Sequence, residues 1–172
     1  MACCEYEDPS RLENRTEQFL VLEIHYAQNV RYFQHMLPEI RYLLEFSDKV
    51  KREGNKVVKR WKMWDLSEFL IFGDDTDFMR RMEEALQPNK ARYSSNSEGV
   101  DFYVASRVCG AFLMTAPTST FGWWLAFFSP NQDAIYYNND FASIDDKKAN
   151  KDLFLWSVLE GIRRQDGVAA IG

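Results

Sequence analysis

Thr115-Ala-Pro-Thr-Ser-Thr-Phe-Gly-Trp-Trp-Leu-Ala-Phe-Phe128 is the stretch on which the fold turns. Directly before it, Gly110-Ala-Phe-Leu-Met114 is an apolar run of strand length, too short for an independent helix. Thr115 to Thr120 form a polar turn with Pro117 and a cluster of hydroxyl side chains, and Phe121 to Phe128 are of helical length. A strand that feeds a hydroxyl-rich turn opening a helix is a general way to hold phosphate. The first N–H groups of the helix have no partner within it, the helix dipole favours an anion there, and Ser and Thr add donors. The plainer reading is that Ser119 or Thr120 caps the helix.

Outward from this stretch the chain alternates. Leu66 to Phe72 reads as a strand that ends in the turn Gly73-Asp-Asp75, where Asp74 or Asp75 can cap a helix over Thr76 to Leu86. Pro88-Asn89 stops that helix, and a polar loop from Tyr93 to Gly99 follows. Val100 to Cys109 fits a short strand or a helix equally well. After the aromatic helix, Asn131 to Tyr137 supplies a turn and another short strand, and Leu153 to Ile162 has the pattern of a terminal amphipathic helix. Upstream, Phe19-Leu-Val-Leu-Glu-Ile24 reads as a buried strand. Met36, Leu37, Ile40, Leu43, Leu44 and Phe46 then recur at helical spacing, with Pro38 implying a kink or two shorter pieces. Strands alternating with helices predict an α/β fold, a parallel sheet with helices on its faces. Sites in such sheets lie at the carboxyl ends of strands, where Gly73-Asp-Asp75 and Thr118-Ser-Thr120 both fall.

Composition limits the function. At 172 residues, with 46% hydrophobic and 15% aromatic side chains, the chain is long and apolar enough to bury a core as one ordinary domain. A net charge of −5 argues against a general nucleic-acid binder, and no apolar run approaches the ~20 residues that span a bilayer. Met1 to Asp8 is acidic, without the basic and apolar regions of a signal peptide, so no membrane contact by this chain itself is expected. Glu13-Asn-Arg-Thr16 contains a glycosylation sequon, usable only in the secretory pathway. Cys3, Cys4 and Cys109 are an odd set that leaves at least one thiol free. His25 and His35 form no ligand cluster with them, so no metal is expected. Lys49, Lys51, Arg52, Lys56, Lys59, Arg60 and Lys62 crowd positive charge between Ser47 and Asp65, as a solvated helix face or a patch for an anionic partner.

Ser119-Thr-Phe-Gly-Trp-Trp124 resembles the Ser-Thr-Phe-(Ser/Gly)-Trp-Trp block of the α-1,2-fucosyltransferases, glycosyltransferase family 11. Phe69-Leu-Ile-Phe-Gly-Asp-Asp-Thr-Asp-Phe78 is similar to that family's strand ending in Phe-Ser-Asp-Asp, and the two blocks agree in order and spacing. Tyr26, Gln28, Arg31, Tyr32 and Phe33 match a third block, from the acceptor-side half. A strand-to-helix junction with structural aromatics is the plainer account of those five. The family's His-x-Arg-Arg-Gly-Asp segment has no counterpart here. In family members its arginine grips the nucleotide diphosphate, and loss of that charge-assisted clamp removes transition-state stabilisation.

The resemblance implies a two-domain GT-B architecture, of which residues 66–172 would be the Rossmann-like GDP-fucose-binding domain and residues 1–65 a remnant of the acceptor-side half with a strand, a helix and a basic linker. It implies transfer of L-fucose from GDP-fucose to O-2 of galactose in glycans, with inversion, no metal and no other cofactor. The partners would be GDP-fucose and a galactose-terminated glycan acceptor, and full-length members sit in the Golgi membrane. By carry-over, Ser119, Thr120 and Phe121 would approach the diphosphate and nucleotide, with Asp74 and Asp75 near the guanine or ribose. A carboxylate accepting two N–H bonds from guanine can read base identity, though adjacent aspartates at a strand end also serve as caps. Without the arginine segment the chain is expected to be a shortened member, weakly active or inactive. The alternative is a non-catalytic nucleotide-sugar-binding or protein-interaction module of the same descent. Removal of central strands would expose edges and apolar surface and favour aggregation or marginal stability.

Overall fold

The computed structural model of the protein describes residues 2–3, 6–21, 29–61, 68–137 and 148–149. Tyr26, Gln28 and the expected helix from Leu153 to Ile162 lie outside them, as does most of the expected strand from Phe19, whose first residues, Phe19 to Val21, carry no regular structure.

Strands β1 (Ala2–Cys3), β2 (Phe69–Ile71), β3 (Ala91–Tyr93), β4 (Phe112–Met114), β5 (Ile135–Tyr137) and β6 (Lys148–Ala149) form three parallel pairs, β1 with β6, β2 with β3 and β4 with β5. The helices are α1 (Leu37–Leu43), α2 (Asp48–Trp61), α3 (Thr76–Ala85), α4 (Glu98–Val108) and α5 (Thr120–Phe128). Two of the pairs are strand–helix–strand units: α3 carries the chain from β2 to β3, and α5 carries it from β4 to β5. Parallel neighbours need such a crossover. The fold is therefore mixed α/β with small parallel sheets, compatible with a Rossmann-like arrangement. The expected single sheet is not what the described residues form, because β2 pairs only with β3 and β4 only with β5 among them.

The helix that organises the core is α5. Its residues are apolar all the way round, and such a helix is stable only when surrounded. Trp123, Leu125, Ala126 and Phe127 are buried, and Trp123 and Phe127 pack with Met114 of β4 and with Ile135 and Tyr137 of β5. Trp124 is half-buried and meets Trp123 edge-on at 4.9 Å, so the adjacent tryptophans take different faces. From the N-terminal part, Phe33, Leu37 and Ile40 close this cluster, with Phe33 edge-on to Trp123 at 6.0 Å. Arg41 pins the end of α5: its guanidinium donates to the Phe127 carbonyl at 3.3 Å and to Gln132 Oε1 at 3.1 Å, and lies 4.5 Å over the Phe127 ring. Pro38 sits in the first turn of α1, where no N–H is required, and a short 3₁₀ turn over Gln34–Met36 precedes it.

A second cluster joins α2 to α4 through Val57, Val58, Val100, Tyr103 and Val104, with Leu70 of β2 against it. The ambiguous stretch before Cys109 is thus helical, with Ser97 preceding it and Glu98 and Asp101 in its first turn. Phe46 bridges the two clusters, 5.4 Å from Tyr103 and 4.9 Å from Phe128. The basic stretch is the solvated side of α2: Lys49, Arg52, Lys56, Lys59 and Arg60 are exposed while Val57 and Val58 are buried.

Candidate functional site

Both loops expected to carry chemistry lie at carboxyl ends of strands, and in both the residue singled out is a helix cap. Asp75 precedes α3 in an extended conformation, and its Oδ1 accepts the N–H of Phe78 at 2.8 Å. Asp74 lies beside it and is exposed. Ser119 precedes α5 in the same way, its Oγ accepting the N–H of Gly122 at 3.2 Å. The cap reading and the ligand reading are compatible. Ser119 Oγ accepts a hydrogen bond from the Gly122 N–H and still has its own O–H to donate, and the Asp75 carboxylate has a second oxygen. Thr120 opens α5 and is exposed, whereas Phe121 is half-buried with its ring 5.3 Å from Phe102 of α4. Phe121 is thereby fixed by packing.

Gly122 has a steric reason. A Cβ placed there would meet Met114 Cγ at 3.2 Å and Met114 Sδ at 3.4 Å, inside the packed cluster under the loop. A serine at this position would press on Met114, and the glycine lets the start of α5 sit close over β4.

The third strand end carries residues that the sequence reading passed over. After β3 the chain runs through Ser94 to Ser97 into α4. Ser94 Oγ donates to Asp101 Oδ1, and Asn96 Nδ2 donates to Ser94 Oγ at 2.9 Å and to Asp101 at 3.4 Å. Asp101 is 4% exposed. Burial pushes its carboxyl up to about 6, although the Ser94 and Asn96 hydrogen bonds pull the other way. Next to this network a cleft of about 640 Å³ opens between α2 and the start of α4, lined by Glu53, Lys56, Val57 and Arg60 on one side and Asn96, Ser97 and Val100 on the other. None of Asp74, Asp75, Ser119, Thr120 or Phe121 lines it. The available signal was the placement of Lys56 and Arg60 one turn apart on α2, which puts both cations on one helix face.

Among the described residues no group of three His, Cys, Asp or Glu side chains is placed to hold a metal ion, and no helix is long and apolar enough to cross a membrane. Cys109 is half-buried, and burial pushes its thiol up to about 11, away from the reactive thiolate. Arg31 and Tyr32, matched to the acceptor-side block, pack on the N-terminal segment: Arg31 lies 4.0 Å over the Tyr6 ring, and Tyr32 Oη accepts the Glu7 N–H at 2.9 Å.

No family model and no solved structure matches the chain. Curated relatives do. A galactoside 2-α-L-fucosyltransferase of Caenorhabditis elegans is 25% identical over 209 residues, taking in 83% of this chain and 52% of that protein. Another from the same organism, bearing the same name, is 27% identical over 199 residues, with 89% of this chain and 56% of that protein covered. The chain spans about half the length of the curated relatives it matches. Sequence blocks and relatives agree: this chain is a relative of the galactoside 2-α-L-fucosyltransferases.

Proposed function

We propose that this chain is the donor-binding half of a GT-B α-1,2-fucosyltransferase, built to hold GDP-fucose for inverting transfer of L-fucose to O-2 of a galactose-terminated glycan. The observation that carries the reading is the Ser119 cap at the carboxyl end of β4, inside the block that resembles the family, in a chain whose relatives bear the fucosyltransferase name. A diphosphate placed over the start of α5 would meet the N–H groups of its first turn and the Ser119 and Thr120 hydroxyls. Asp74 and Asp75, at the end of β2, would face the guanine or ribose. A Golgi membrane setting goes with this reading for full-length members.

Transfer by this chain is proposed to be weak or absent. Among its residues none matches the arginine segment that grips the diphosphate in the family, and Lys56 and Arg60 line a separate cleft. The alignment with the first relative adds support: it runs over 209 positions but takes in only 83% of these 172 residues, so part of the relative's matched stretch faces gaps in this chain. A module that binds nucleotide sugar without transferring it is the second reading, and it rests on the same gaps.

Calorimetric titration of the purified chain with GDP-fucose and GDP tests the proposal, with Ser119→Ala and Asp75→Ala alongside and circular dichroism to verify folding. Binding that weakens about tenfold or more in either folded variant supports the half-site. A folded chain that binds neither ligand refutes it.

A further inference from the structure

Asp8, Asn14 and Asn29 all stand at turns of the amino-terminal part, and two of them use their side chains there. Asp8 Oδ1 accepts the N–H of Ser10 at 3.0 Å, and Asn29 Oδ1 accepts the N–H of Arg31 at 3.0 Å. A bond to the N–H two residues on is the usual structural reason for an Asp or Asn at such a place. Asn14 does not make it. The N–H of Thr16, which it would reach, donates instead to Glu17 Oε2 at 3.0 Å, and Arg15 holds the same carboxylate at 3.4 Å. Among the described residues the Asn14 carboxamide and the Thr16 hydroxyl have no hydrogen-bond partner, and both residues are exposed.

Asn14-Arg15-Thr16 is also the only Asn-x-Ser/Thr triplet in the 172 residues, and neither Arg15 nor Glu17 is a proline that would stiffen it. The 3₁₀ turn over Pro9–Leu12 ends with the Glu13 N–H on the Ser10 carbonyl at 3.1 Å and the Arg15 N–H on the Leu12 carbonyl at 3.0 Å. Beyond Arg15, no backbone–backbone hydrogen bond ties Thr16 to Val21 among the described residues. The carboxamide thus stands on a formed turn, and the hydroxyl two residues on belongs to chain that can adapt to an enzyme groove. The segment is secured elsewhere, by the Tyr6 ring against Tyr32 at 5.0 Å and the Glu7 N–H on Tyr32 Oη at 2.9 Å. A bulky group added at Asn14 displaces none of these contacts.

We propose that Asn14 is a modification site, the acceptor of an N-linked oligosaccharide delivered from a lipid diphosphate carrier. Asn14 Nδ2 forms a bond to the anomeric carbon of the first sugar, and the bond from that carbon to the diphosphate oxygen breaks. The lipid diphosphate leaves with the electron pair, and Nδ2 gives up one proton. The Thr16 hydroxyl is the group by which the transferring enzyme selects this asparagine. Neither side chain serves the fold, so modified and unmodified chains share it. Use of the site rests on the secretory setting proposed above for full-length members.

The test is cell-free translation of the full chain behind a cleavable secretory leader, in the presence of microsomes, with only protease-protected chains scored. Wild-type chain is expected to gain a single glycan, seen as one mobility step that peptide N-glycanase reverses, with Asn14 converted to aspartate in the peptide map. Asn14→Gln and Thr16→Ala should lose the step completely, and Thr16→Ser should keep it. These variants alter exposed side chains, so their circular dichroism should match the wild type. Scoring only protected chains keeps a failure at Asn14 apart from a failure of the donor-binding reading, which titration with GDP-fucose decides. Protected wild-type chain that carries no glycan overturns the proposal, and so does a glycan that persists in Asn14→Gln or Thr16→Ala.

Discussion

Gly54 lies in the middle of α2 and is buried. A Cβ added there would overlap Tyr103 Cδ1 and come within 3.0 Å of Cε1 and 3.1 Å of Cγ. The tyrosine has little freedom to withdraw. It is 6% exposed, edge-on to Phe46 at 5.4 Å, and its hydroxyl donates to Asn55 Oδ1 at 2.9 Å. Overpacking of this kind costs about 1–3 kcal/mol, and loss of the tyrosine hydrogen bond about 1 kcal/mol more. Against that, alanine in a helix interior is favoured over glycine by about 1 kcal/mol. Gly54→Ala is therefore expected to destabilise the chain by about 1–3 kcal/mol, although the same change elsewhere in a helix would stabilise it. The assay is urea unfolding followed by far-ultraviolet circular dichroism. Gly54→Ala/Tyr103→Leu serves as partner, since removing the ring removes the overlap. The double variant should recover stability relative to the sum of the two single changes, with a coupling of about 1 kcal/mol or more. Additive single changes, or a Gly54→Ala chain as stable as the wild type, would show that α2 and α4 do not cross at this distance.

The remaining predictions concern charge and caps. Asp101 titrates near 6 when folded and at about 3.8 when unperturbed, so its contribution to stability is fully present below pH 4 and is lost as pH rises towards 6. The loss is on the order of 3 kcal/mol. Asp101→Asn should flatten the stability-versus-pH curve over that window relative to wild type in denaturant melts. A wild-type slope in the variant would show that Asp101 ionises freely. Ser119→Ala and Asp75→Ala each remove a cap and should cost about 1 kcal/mol, whereas Ser119→Gly should cost a few tenths. No loss in either alanine variant, in the same melts, would mean that the capping bonds do not form in solution.

What the sequence reveals about this fold is what is local to it. The caps at Asp75 and Ser119 bond to N–H groups three residues on, so the pattern that announces them sits inside a single turn. The aromatic run after Ser119 reads as a buried helix for the same reason: a segment apolar on every side has to be enclosed, whatever encloses it. Legibility fails where the deciding partner is remote. β3 escapes notice because Lys90-Ala-Arg-Tyr93 has one buried apolar side chain in its strand, Ala91, and owes its strand state to β2. Val100 to Cys109 reads as either element because α4 faces two clusters at once, with Val104 and Tyr103 toward α2 and Phe102 toward α5, and so lacks the single apolar stripe of a surface helix. The buried Asp101 and the cleft beside it depend on α2 being laid against α4, so Lys56 and Arg60 acquire a setting that their own neighbours in sequence do not encode. The sheet is the strongest instance. Phe69–Ile71 and Phe112–Met114 each carry a complete local signal for a parallel strand, and each is satisfied on one side by its own crossover unit. Whether two such units become one sheet depends on a strand that bonds to both, and no residue within either unit reports its presence.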